Sequence, residues 1–199
     1  MAGREGEHEL RSLRPPTPDA RHRVSGVGYR PGAYGHRMPR HPLEQRVVDH
    51  LESLEADFEA IAIDPAFADT AAFCERYGFT LEESANAILI ASKRPEGLYC
   101  LCLALATTRL DVNHKVRALL GAKKLSFAPG DVTATVTGME IGGVTPFGLV
   151  GPPPIFVDTA VTGLERVIVG GGTRAMKVSV DPGVFDRMDG VTVVEGLAG

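Results

Sequence analysis

The stretch that most constrains this chain is Thr137 to Leu149, TGMEIGGVTPFGL, which packs four glycines and one proline into thirteen residues. Gly142 and Gly143 stand side by side, just ahead of Val144, Thr145 and Pro146. Glycine admits positive φ and lets a ligand or another backbone come close, while proline fixes φ and withholds a donor. The stretch is therefore predicted to be a loop that presents main-chain N–H groups and no nucleophile. Such amides can hold a carbonyl oxygen or a phosphate in a small concavity. A plain bend between two strands fits the same composition.

The chain has 199 residues, enough for one domain with a tail and a real core. No apolar run approaches 18 residues, so no membrane-spanning helix is expected. The first 30 residues carry charges throughout and lack a continuous apolar segment, which argues against secretion and for the cytoplasm. Three cysteines, Cys74, Cys100 and Cys102, are an odd number and argue against a disulfide framework. Cys100 and Cys102 in LYCLCLALA are predicted to share one face of a strand. Only His50 and His114 lie beyond the N-terminal segment, without ligand-like spacing, so no metal and no cofactor is expected.

Charge is unevenly spread. The first 46 residues hold nine arginines against five acidic residues, a balance of +4; as the whole chain carries −4, the remainder carries −8. That excludes a domain that holds DNA or RNA on a broad basic surface. Residues 1–41, rich in Arg, Pro and Gly, are predicted to be a disordered basic tail, and residues 42–199 a single domain.

Pro42 opens the first predicted helix, in which Leu43, Val47, Leu51, Leu54, Phe58 and Ile61 recur at steps of three or four. A second helix is predicted between Asp69 as N-cap and Gly78 as stop, and a third from the capping-box pattern Thr80-Leu81-Glu82-Glu83. Ala87 to Ala91 and Leu98 to Ala106 read as paired strands joined by the polar turn Ser92 to Gly97. Leu110 to Leu120 reads as a helix ending at Gly121, Lys124 to Ala128 as a strand, and Gly130 to Thr135 as a turn of helix. Strands are predicted at Ile155 to Val157, Val167 to Val169, Lys177 to Val180 and Val191 to Val194, with a short helix at Val184 to Met188. Helices lead and strands follow, which predicts an α+β domain with a mixed, curved sheet surrounded by helices.

Two enzyme classes are set aside on spacing. Gly170-Gly171-Gly172-Thr173-Arg174-Ala175 fits a dinucleotide fingerprint, but too little chain follows for a Rossmann unit. Gly-x-Ser-x-Gly is absent, which removes the usual serine-hydrolase elbow.

The segment with Gly142 and Pro146 in a Gly-x-x-x-Pro arrangement resembles the shared loop of the YbaK family of aminoacyl-tRNA deacylases, related to the editing domain inserted in bacterial prolyl-tRNA synthetases. Similarity extends to LDVNHKVRALLGAKKLSFA (Leu110 to Ala128), IFVDTAV (Ile155 to Val161) and VIVGGGTRA (Val167 to Ala175). The resemblance implies a YbaK-like fold and hydrolysis, in trans, of the ester of a mischarged tRNA, with the acceptor end as partner and a synthetase as a further candidate. It implies that Gly142, Gly143, Thr145 and Pro146 form the catalytic loop, with Gly170, Gly171 and Gly172 shaping the pocket. Asp158 matches a recurrent aspartate of the family; it could bind substrate, or cap a turn and hold neighbouring backbone donors. The family's lysine, placed without gaps, falls on Asn86, which can donate and accept hydrogen bonds but carries no charge. Lys93 lies seven residues on, more than about 20 Å along a strand. Lys115, Arg117, Lys123, Lys124 and Arg174 are candidate phosphate contacts. The alternative implied is a non-catalytic module that binds aminoacyl-tRNA, an aminoacyl-adenosine-like ligand or a synthetase.

Overall fold

The computed structural model describes residues 40–199. The predicted basic tail lies outside the described residues, apart from Arg40 and His41. Helix α1 (Pro42–Ser53) starts with proline in its first turn, and the His41 side chain accepts from the Leu43 amide. Val47, Val48 and Leu51 make its buried stripe. The apolar period runs on past Ser53, but the helix does not. Glu55 takes a φ of 50°, its N–H donates to Glu52 O at 3.0 Å, and the Ala56 N–H donates to Leu51 O at 3.0 Å. Those two bonds close a Schellman-type helix end, with glutamate where glycine is usual. Phe58 and Ile61, predicted helical, instead belong to strand β1 (Phe58–Ala62).

After a 3-10 turn at Pro65–Phe67, helix α2 (Thr70–Tyr77) runs from Asp69 to Gly78 as the sequence predicts. The helix predicted from Thr80 does not form, although its capping bonds do. The Thr80 amide donates to Glu83 Oε1 at 3.0 Å and the Glu83 amide to Thr80 Oγ1 at 3.3 Å. The apolar residues beyond Glu83 are taken by strand pairing: β2 (Ala85–Arg94) lies antiparallel to β3 (Glu96–Leu105). A π-helical turn (Val112–Val116) leads into α3 (Arg117–Leu120), which ends at Gly121. Then follow β4 (Lys124–Phe127), α4 (Gly130–Thr137), the glycine-rich loop, β5 (Ile155–Asp158) and α5 (Thr159–Thr162). The chain closes with β6 (Val167–Gly170), β7 (Met176–Val180), a 3-10 segment (Pro182–Arg187) and β8 (Val191–Val194).

The architecture is α+β. A mixed five-stranded sheet has the order β4-β2-β3-β5-β8, antiparallel as far as β3 and parallel from there. A second, antiparallel sheet has the order β1-β7-β6. The two meet at a bridge between Ser84 and Ile168, where the Ile168 amide donates to Glu83 O at 2.8 Å. The main core fills the space between them with Leu51 of α1, Leu101 and Leu103 of β3, Val169 of β6, Val178 of β7 and Phe147 of the loop. Cys100 and Cys102 share the other face of the five-stranded sheet, packed with Val116 and Leu197. Among the described residues no helix is long and apolar enough to cross a membrane.

Candidate functional site

The glycine-rich loop is held at both ends. At its far end Gly148 is gripped by α1: Arg46 Nε donates to its carbonyl and its N–H donates to His50 Nδ1, both at 2.9 Å. Phe147 is fully buried and stacks on Phe185 with centroids 5.8 Å apart. At the near end the Glu140 amide donates to Gly172 O at 3.1 Å and the Gly172 amide to Gly143 O at 2.7 Å. Here the two glycine segments lie backbone on backbone. A Cβ on Gly143 would overlap the Thr173 main chain, and one on Gly170 would overlap the carbonyls of Gly143 and Val144. No other residue type permits that approach.

This packing leaves a cavity of about 480 Å³ at the seam of the two sheets. From the five-stranded sheet come Ala85, Asn86, Ala87, Ile88 and Leu89; from the other come Gly170 and Lys177. Asp69 and Thr70 contribute the start of α2, Gly130 and Thr133 the start of α4, and Gly142 and Val144 the loop. Ala68 and Ala128, with Phe127 and Ile141, both exposed, complete the lining. Gly142 has a φ of 92°, in the region glycine favours. Among the described residues its amide and that of Val144 have no acceptor. Asn86 accepts from Thr70 Oγ1 at 2.7 Å through its carbonyl oxygen, which leaves its amide N–H groups as donors. The Thr133 hydroxyl donates to Pro129 O at 3.0 Å, so both lining hydroxyls already donate within the protein.

The predicted site residues therefore divide. Asn86, Gly142 and Gly170 line the cavity. Gly143 is the packing surface behind it, and its N–H is occupied by Glu140 O at 2.9 Å, so it is not the free donor that the sequence suggested. Gly171 is fitted against Met176 and Gly172 against α1, both away from the lining. Thr145 and Pro146 are buried beneath the loop, and the Thr145 hydroxyl has no partner among the described residues. Asp158, 4% exposed, is also off the lining. Its carboxylate accepts from the Ala160 amide at 2.8 Å and the Ala198 amide at 2.9 Å, capping α5 and tying down the C-terminus. Of its two readings, this is the turn-capping one. Arg174 is spent on the scaffold: it donates to Pro65 O and Ile141 O at 3.2 Å each and pairs with Asp69 at 3.3 Å. Lys93 pairs with Glu96 at the far end of the hairpin, as its spacing implies.

The sequence reading missed Lys177, which is 6% exposed and lines the cavity. Its Nζ donates to Gly142 O at 3.2 Å and stands 5.7 Å from the centre of the Phe73 ring. Burial pushes its pKa down, Asp69 works against that and Arg174 adds to it. The signal was a lysine between Met176 and Val178 in a strand, which alternation alone would place in solvent. Among the described residues no cluster of three or more His, Cys, Asp or Glu side chains could hold a metal ion.

Comparison with known proteins bears on the fold and the family. Uncharacterized protein YwhH of Bacillus subtilis (strain 168) is 28% identical over 134 residues, 67% of this chain and 82% of that protein. Among solved structures, a candidate trans-editing enzyme for prolyl tRNA synthetase superposes with a TM-score of 0.67 at 21% identity, covering 79% of this chain and 98% of its own. The hypothetical protein APE2540 gives a TM-score of 0.67 at 17% identity, covering 74% and 97%. At these identities the structural likeness establishes the fold alone. The family model of the aminoacyl-tRNA editing domain matches residues 64–187, which take in the cavity, the glycine-rich loop and Lys177, and the chain belongs to that family.

Proposed function

We propose that this protein hydrolyses, in trans, the ester that joins a wrong amino acid to its tRNA, taking the aminoacylated acceptor end into the cavity between the two sheets. The observation that carries this reading is a cavity with unpartnered backbone amides and no thiol or base-paired hydroxyl in its lining. Gly142 and Val144 offer N–H groups, Asn86 offers its amide, and the hydroxyls of Thr70 and Thr133 are already committed. An aminoacyl ester is activated enough for water to attack once its carbonyl is positioned and its developing charge is met by fixed donors. Loop amides would orient the carbonyl, Asn86 would bind through its N–H groups, and Gly170 would shape the floor. The acidic balance of the domain fits contact confined to the acceptor end, in the cytoplasm where charged tRNA is used.

The test is release of amino acid from a panel of matched and mismatched charged tRNAs, by the full chain and by a chain lacking residues 1–41. Selective release from a mismatched pair is expected. Binding of a non-hydrolysable aminoacyl-adenosine analogue without release would identify a binding module instead. Gly142→Val places a β-branched side chain at a φ of 92°, against the Arg174 guanidinium. It should cut hydrolysis more than tenfold while the fold survives, since the strain of about 1–2 kcal/mol is small beside the usual stability of a domain. Unchanged hydrolysis would remove the loop from the reaction.

A further inference from the structure

We propose that Lys177 is the catalytic cation of this site, placed to take up the negative charge that develops on the ester carbonyl oxygen. The inference rests on the ester-hydrolysis reading and adds the group that meets the oxyanion. Lys177 is all but buried, yet among the described residues no carboxylate pairs with it directly. Asp69, the acidic residue of the lining, is mostly exposed and bonded to Arg174 instead. A desolvated ammonium without a directly paired carboxylate is costly, and folds keep one where a ligand or a reaction supplies the negative partner. One N–H is used on Gly142 O, which holds the ammonium against the loop whose Gly142 and Val144 line the same cavity. The Phe73 ring centre lies 5.7 Å from it.

The step balances without a cofactor. Water oxygen adds to the ester carbonyl carbon, and the carbonyl π pair moves to oxygen, giving a tetrahedral oxyanion facing the ammonium and the loop amides. Its collapse breaks the bond to the ribose oxygen, which leaves with the proton lost by the water. Lys177 stays protonated throughout. It acts by charge, on a side chain that is all but buried, where a fixed charge counts for more than in bulk solution.

The experiment is single-turnover hydrolysis of the best substrate by wild type and Lys177→Met, with binding of a non-hydrolysable aminoacyl-adenosine analogue measured on both. Methionine keeps the length and removes the charge, and losing a buried charge does not ordinarily unfold a domain. A rate loss of about 100- to 1000-fold with analogue affinity within threefold is expected. A rate within threefold of wild type, or a parallel loss of rate and binding, would overturn the assignment. Wild-type pH dependence supplies a check that needs no variant. Burial depresses Lys177 below its ordinary 10.5, with Asp69 opposing and Arg174 and Cys74 as the other charged or titratable neighbours. After subtraction of the uncatalysed rate, hydrolysis should therefore fall at alkaline pH, where the ammonium is lost. A rate that climbs instead would make Lys177 a base or a bystander. If wild type releases nothing from any charged tRNA, the ester-hydrolysis reading fails and this one with it; an active Lys177→Met variant sinks this one alone.

Discussion

Asn86 and Lys177 show how a charge can leave one position and reappear at another. Read along the chain, Asn86 looks like a loss, an uncharged amide where the family resemblance calls for lysine. In space it shares a cavity with a lysine that enters from the other sheet. Along the chain alone, Asn86→Lys restores the charge that the resemblance calls for and should speed the reaction. The cavity reverses that expectation. Two ammonium groups sharing a space about 10 Å across repel by roughly 2 kcal/mol at an effective dielectric of 20. The new lysine would also lose the acceptor that Thr70 Oγ1 now uses at 2.7 Å. Asn86→Lys is therefore expected to lower the unfolding midpoint and to leave hydrolysis unchanged or slower, measured beside Asn86→Ala. A faster variant would mean that the cavity lacks a cation and that Lys177 does not supply it.

At the scale of elements, local chemistry was legible and its continuation was not. Thr80 and Glu83 form their capping bonds as predicted, but those two bonds do not oblige a helix to follow when the next ten residues can pair with β3. The stop of α1 carried no signal, because glutamate stands at the left-handed position; Phe58 and Ile61 therefore continued a helical period into a strand. The grip of α1 on Gly148 has a consequence for pH. His50 Nδ1 accepts from the Gly148 amide, so that nitrogen must be unprotonated, and burial holds the ring's pKa below its ordinary 6.5. The unfolded chain then binds the proton better than the folded one. The stabilisation is present above pH 6.5 and is lost as pH falls through the folded-state value. The slope should stay below the roughly 1.4 kcal/mol per pH unit of one fully linked proton, because the ring is only half-buried. His50→Asn keeps a short acceptor and removes the titration, so urea unfolding between pH 5 and 7 should show a flatter dependence than wild type. Equal slopes would place the linkage elsewhere.

On the scale of the whole molecule, the fold class and the two glycine segments could be read from residues, because each is written in a contiguous stretch. The cavity could not, because it is assembled from pieces as far apart as Asp69 and Lys177, and the contact that orients Lys177 spans 35 positions to Gly142. Strand β7 is buried at all five positions, so the alternation that marks one solvent face was missing where it would have flagged the lysine as turned inward. A seam assembled this way makes the ligand a structural bridge: Asn86 belongs to the five-stranded sheet, Lys177 to the three-stranded one, and Gly142 to the loop packed on both. Among the described residues the main-chain link between the sheets is the bridge at Ser84 and Ile168. An aminoacyl-adenosine analogue filling the cavity is therefore expected to stabilise the domain as one unit. At a concentration about 100 times its Kd it should raise the free energy of unfolding by about 2.7 kcal/mol. Amide exchange should slow together in β2, in β7 and across residues 138–148, since each loses its independent opening when the ligand spans them. Slowing confined to the loop, with β2 and β7 unchanged, would mean that the ligand sits at the rim beside Phe127 and Ile141 and never reaches the ammonium between the sheets.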